Sequence, residues 1–129
     1  MIKYLTYQQV IFIHDDLLKN FGGLFGIRDK NLLLSALEMP KVAFGNKKIH
    51  PSIFEKAAAY LYHLVQNHPF NDGNKRTAYV VVLVFLEINH ATIKFKIDDL
   101  EQIVLDVANG KLNKIQLAHF FKYGKISKK

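Results

Sequence analysis

Apolar residues recur at helical spacing through most of the chain, and polar pairs three residues apart mark where the runs begin. Ser52 and Glu55 have the spacing of a capping box. Behind them Phe54, Ala57, Ala58, Leu61, Leu64 and Val65 repeat every three or four positions, which predicts a helix over about 53–66. Farther on, Ala78, Val81, Val82, Phe85 and Leu86 keep that interval while Val80, Leu83 and Val84 fill the rest of the circumference. A helix that is apolar nearly all round belongs in the interior, so this one is expected to be the buried centre. Thr6 with Gln9 opens a helix over about 7–20 that Gly22-Gly23 ends, and Asp29 caps another over about 30–38 that Pro40 stops. Asp98 with Glu101, and Asn113 with Gln116, open two more that end near Gly110 and Gly124. Thr92 to Phe95 has the composition of a short strand, but one such run cannot make a sheet. Met39 to Pro51 reads as a long loop, a small hairpin or a broken short helix. The expected fold class is therefore all-α, a single helical domain over residues 1–129 around the central helix.

Composition changes this picture little. A chain of 129 residues is large enough to bury about two-thirds of its unfolded surface without staples. With no cysteine it has neither a disulfide framework nor a thiolate zinc site. Met1 to Thr6 lacks the apolar stretch of a signal peptide, and the run from Tyr79 to Leu86 is far short of the roughly 20 residues that span a bilayer. A soluble, cytoplasmic protein with no membrane partner is expected. The net charge is +7, with much of the excess in Lys111, Lys114, Lys122, Lys125, Lys128 and Lys129. The plain reading is a solvated basic face. Contact with RNA or an acidic protein is the sharper one, and direct nucleic-acid binding is not expected because no recognition motif accompanies the charge. His14, His50, His63, His90 and His119 are scattered without metal-ligand spacing and read as surface or partly buried polar residues.

Candidate chemistry concentrates in His68-Pro69-Phe70-Asn71-Asp72-Gly73-Asn74-Lys75-Arg76. An imidazole can take a proton near neutral pH, a carboxylate can hold Mg²⁺, and a Gly-Asn turn can aim N–H groups at an anion. The segment also empties into the predicted central helix, whose N-terminus favours bound anions. Lys75 and Arg76 in a first helical turn oppose the macrodipole, so helix stability does not explain them, whereas a nearby phosphate does. Taken singly, each residue also has an ordinary use. His68 can cap a helix end, Asp72 and Asn74 can cap the next helix, and Phe70 can pin the loop to the core.

This segment resembles the signature loop of the Fic/Doc family, His-x-Phe-x-Asp/Glu-Gly-Asn-Gly-Arg-x-x-Arg. His68, Phe70, Asp72, Gly73, Asn74 and Arg76 match, while Lys75 replaces the second glycine and Tyr79 the last arginine. Lys75 and the lost arginine are Doc-like, as are Phe21-Gly22-Gly23-Leu24, the Lys75-Arg76-Thr77-Ala78 run and the Phe85-Leu86 helix end; Gly73 is more Fic-like. The resemblance implies a toxin of a toxin–antitoxin module that transfers a phosphoryl group from Mg-ATP to a Ser/Thr hydroxyl of a protein target. His68 is then the base, Asp72 the metal ligand, and Gly73, Asn74, Lys75 and Arg76 the phosphate site. It further implies elongation factor Tu as the target, with arrest of translation. The flap that aligns the target falls on Val42, Ala43, Phe44, Gly45, Asn46, Lys47 and Lys48. No Ser or Thr is followed four residues later by Glu, as in the inhibitory helix of self-inhibited relatives, so a separate antitoxin is expected to inhibit in trans. Fic-type nucleotidyl transfer and an RNA-directed basic module remain as alternatives.

Overall fold

The computed structural model describes residues 1–126, so Lys128 and Lys129 of the basic C-terminal group lie outside the described residues. Among the described residues six α-helices form in chain order: α1 (Tyr7–Phe21), α2 (Lys30–Glu38), α3 (Ile53–Asn67), α4 (Asn74–Ile88), α5 (Ile97–Ala108) and α6 (Lys114–Tyr123). The Thr6–Gln9, Ser52–Glu55 and Asn113–Gln116 capping boxes are all present, each answering two orphan N–H groups. Asp29 caps α2 through the Leu32 N–H.

The expected Asp98–Glu101 cap does not form. Helix α5 begins two residues earlier, with Lys96 rather than Asp98 at the cap position, and Asp98 and Asp99 lie inside its first turn. There they favour the helix through the macrodipole rather than by capping. Thr92 to Phe95 is not a strand either; Phe95 instead packs its ring against Phe120 and Phe121.

Helix α4 is the buried helix its sequence predicts, with Ala78, Val81, Val82, Phe85 and Leu86 inaccessible. It shares the centre with α3, which meets α2, α4, α5 and α6. Alanines 57, 58 and 59 on α3 are fully buried and permit this close approach on several sides. None of the described helices is long and apolar enough to cross a membrane.

The segment between α2 and α3 combines two of its expected forms. A single 3₁₀ turn, Met39–Lys41, is followed by a hairpin of two-residue strands, β1 (Ala43–Phe44) and β2 (Lys47–Lys48). The pairs are Ala43 with Lys48 and Phe44 with Lys47, and Gly45 supplies the positive φ of 63° that the turn needs. Two lysines tie down its base. Lys56, 1 % exposed, donates to the carbonyls of Pro40 and His50. Lys114 reaches from α6 to His50 Nε2 at 3.2 Å and His63 Nε2 at 3.0 Å. The Nδ1–H of His50 donates to the Met39 carbonyl at 2.9 Å, which leaves Nε2 as the acceptor for Lys114. His50, expected at the surface or partly buried, is 6 % exposed because it fills this junction.

The junction requires both imidazoles to be neutral. Burial, then the Lys114 ammonium, then His50 push His63 down from 6.5 to about 4; burial and Lys114 also lower His50. Below pH 6.5 the unfolded chain therefore takes up these protons before the folded one does, so their contribution is whole above pH 6.5 and fades toward pH 4. Thermal melts between pH 7.5 and 4.5 are expected to show this decline, and His63→Gln, which keeps an acceptor but does not titrate, to flatten it. An unchanged slope in the variant would assign the decline to other groups.

Candidate active site at the start of helix α4

The loop between α3 and α4 is held from beside and from below. Pro69 cannot continue α3, and His68 ends that helix in the left-handed conformation at φ 50° and ψ 55°. Arg28 caps the carbonyls left over, donating from Nε to His68 O at 2.6 Å and from Nη2 to Asn67 O at 2.8 Å. The stretch around Ile27 then runs antiparallel to the loop. The Arg28 and Asp29 N–H groups donate to Pro69 O, the Asn71 N–H donates to Gly26 O, and Ile27 bridges to Phe70. Gly26 suits this place, because its φ of 112° is one that L side chains rarely adopt, and a Cβ would also stand 2.7 Å from the Asn71 amide.

Beneath the loop, Asn74 turns its side chain inward. It accepts from the Phe70 N–H at 2.9 Å and donates to the Phe70 carbonyl at 3.0 Å. Phe70 is fully buried and stacks on the ring of His14, with centroids 3.7 Å apart and planes within 9°. His14 Nε2 in turn lies 2.8 Å from the Asp72 carbonyl oxygen.

What remains exposed is chemically active. The imidazole of His68 faces solvent and makes no hydrogen bond among the described residues. Asp72 is also exposed; its carboxylate accepts from the Leu24 N–H at 3.2 Å and the Gly73 N–H at 2.9 Å. Gly23 makes room for it, since a Cβ there would come 3.0 Å from Oδ2. Gly73 is the N-cap of α4 at φ 78°, with no side-chain cap, and the first turn contains no acidic residue. The N–H groups of Asn74, Lys75 and Arg76 have no partner among the described residues. Lys75 and Arg76 are exposed beside them, and the Arg76 guanidinium lies over the Phe21 ring, 4.5 Å from its centroid.

The structure thus gathers His68, Asp72, Gly73, Lys75 and Arg76 at one helix start, turns Asn74 and Phe70 inward, and gives Val42 to Lys48 to the separate hairpin. Among the described residues no hydrogen bond joins that hairpin to the loop. Arg28 escapes a reading of the sequence, and Phe21, Leu24 and His14 enter it without the places at the loop that the structure gives them. For His14 a signal existed: it stands midway between Val10 and Leu18 on the buried stripe of α1. Expected at the surface or partly buried, it is 1 % exposed, because the loop covers it.

A free imidazole, an exposed carboxylate and an open helix start on one short loop define a candidate phosphate-handling site. Residues 4–86 match the sequence model of the Fic/DOC family, and the chain belongs to that family. It is 38 % identical over 90 residues to Toxin Doc of Mycolicibacterium smegmatis, covering 68 % of this chain and 69 % of that one. It is 28 % identical over 112 residues to Protein kinase doc of Escherichia phage P1, covering 87 % of each.

The left-handed His68 yields a test of what the loop is for. An L residue in that conformation costs roughly 1–2 kcal/mol that glycine avoids, partly offset by glycine's greater freedom when unfolded. His68→Gly is expected to raise stability by about 0.5–1 kcal/mol in denaturant unfolding, while phosphate transfer is lost. A destabilised His68→Gly would mean that the imidazole is structural.

Proposed function

We propose that the chain is a Doc-like toxin that transfers the γ-phosphoryl group of Mg-ATP to a Ser or Thr hydroxyl of a protein target. The observation that carries this reading is the start of α4, where three unpartnered N–H groups and two exposed cations adjoin a free imidazole and a carboxylate. A relative named as a protein kinase, matched over most of both chains, supports it.

In this reading His68 accepts the proton of the target hydroxyl as its oxygen bonds to the γ-phosphorus, and the bond to the β-phosphate oxygen breaks to release ADP. The N–H groups of residues 74–76, with Lys75 and Arg76, hold the phosphates. Asn74 serves through its backbone, because its side chain is committed to Phe70. Phe70 and Gly73 hold the loop in shape. The residues present fit a magnesium ion. Asp72 offers an exposed carboxylate with lone pairs to spare, and Mg²⁺ is commonly held by one or two carboxylates together with nucleotide phosphates. Bound there, the ion would neutralise phosphate charge. The hairpin from Val42 to Lys48, exposed and with unpaired edges, would align an extended target segment by strand addition. Elongation factor Tu is the target by family resemblance, with translation arrest as the outcome, the cytoplasm as the compartment and an antitoxin as the inhibitor in trans.

Nucleotidyl transfer is the second reading, which the Fic-like Gly73 supports by resemblance and Lys75 with Tyr79 opposes. The purified chain and His68→Ala, incubated with bacterial extract and Mg-ATP labelled at the α or the γ position, separate the two. Label is expected from the γ position alone, reduced roughly 10²- to 10⁴-fold in the variant. Label from the α position would establish nucleotidyl transfer. No label from either would end both readings for targets present in the extract.

A further inference from the structure

His14 comes from α1, outside the loop, and none of the roles above uses it. Its ring is committed on several sides. One face stacks on Phe70 at 3.7 Å, and Nε2 lies 2.8 Å from the Asp72 carbonyl oxygen. A Cβ at Gly73 would stand 3.6 Å from the ring, so the loop closes directly over it. Nδ1 faces Asp15 Oδ1 at 3.3 Å. A carbonyl oxygen only accepts, so Nε2 carries a proton and donates it. The Asp72 carbonyl receives no helical N–H among the described residues, and His14 supplies the donor it would otherwise lack.

A purely apolar residue would fill this space as well. What histidine adds is a hydrogen bond to the peptide of the one carboxylate in the loop. That residue is gripped at three points: its carbonyl by His14, and its carboxylate by the Leu24 and Gly73 N–H groups. The two N–H groups orient the carboxylate, while His14 fixes the peptide from which it hangs.

We propose that His14 is a positioning residue for the metal-nucleotide site: its Nε2–H holds the Asp72 peptide so that the carboxylate presents its free lone pairs to a nucleotide-bound divalent cation. This rests on the reading of Asp72 as the Mg²⁺ ligand.

The test compares the full chain with His14→Phe, which keeps the stacked ring and loses the donor, and His14→Gln, whose amide can occupy the place of Nε2. Each is also combined with Asp72→Asn. Calorimetric titration with a non-hydrolysable ATP analogue, with Mg²⁺ and with EDTA, is read beside thermal melts. His14→Phe is expected to weaken Mg²⁺-dependent binding roughly 10- to 100-fold, the usual cost of removing an outer partner of a metal ligand, and His14→Gln to recover most of it. Binding in EDTA should be unchanged, and in the Asp72→Asn chain His14→Phe should cost nothing further.

Wild-type binding by His14→Phe overturns the inference and leaves the Asp72 reading standing. Wild-type binding that ignores Mg²⁺ overturns both. An equal loss in EDTA, or an additive loss with Asp72→Asn, makes His14 a packing residue and overturns it too. Should His14→Phe fail to fold, the His14 Nε2–H resonance of the wild-type chain decides. It is expected to shift with the Mg²⁺ analogue and not with the analogue in EDTA, and a resonance indifferent to the metal overturns the proposal.

Discussion

Both hydrogen bonds of the Phe70 peptide go to a single side chain, that of Asn74 four residues on, and the geometry of the exposed loop follows from that closure. A connection between helices ordinarily runs over the surface, because buried N–H and C=O groups need partners that irregular backbone cannot supply. Here one carboxamide supplies them. Phe70 can therefore enter the core, the chain must rise again within four residues, and the residues on the rise face solvent. The exposure of Asp72 and the openness of the first turn of α4 are consequences of a buried contact.

The same segment is held together against several local preferences. His68 adopts a left-handed conformation, two cations sit at the positive end of a helix, and α4 begins without a side-chain cap. Each departure is unfavourable by between a few tenths and about 2 kcal/mol, and each leaves something available: an imidazole aimed outward, a positive field, N–H groups without a partner among the described residues. Their concentration within nine residues contrasts with α1, α3 and α6, where complete capping boxes leave little unanswered. Departures from local rules gathered at one place are what a functional site imposes on a chain otherwise consistent across levels.

The helices were legible because their signals are local. Apolar period and capping pairs lie within one or two turns, and three of the four capping pairs form as spaced. Asp98 and Glu101 failed because acidic residues also suit the interior of a first turn, and spacing alone does not say which use is made of them. The loop was legible for the same reason, being contiguous. Its supports were not. His14 meets a partner 58 residues away, Leu24 one 48 away and Arg28 one 39 away, separations at which only the fold decides who is neighbour to whom. Asn74 shows the limit from the other side: its position was legible, but the direction of its side chain was not.

The buried ammonium of Lys56 holds carbonyls from both ends of the segment that carries the hairpin, Pro40 on the way in and His50 on the way out. Those ends cannot drift apart without stranding a charge with no water to receive it. The strands between them are only two residues long and exposed, and among the described residues no side-chain hydrogen bond reaches the tip. The hairpin thus has a clamped root, and in the proposed reading a target segment lying along it would be measured toward the helix bundle from a point that stays put.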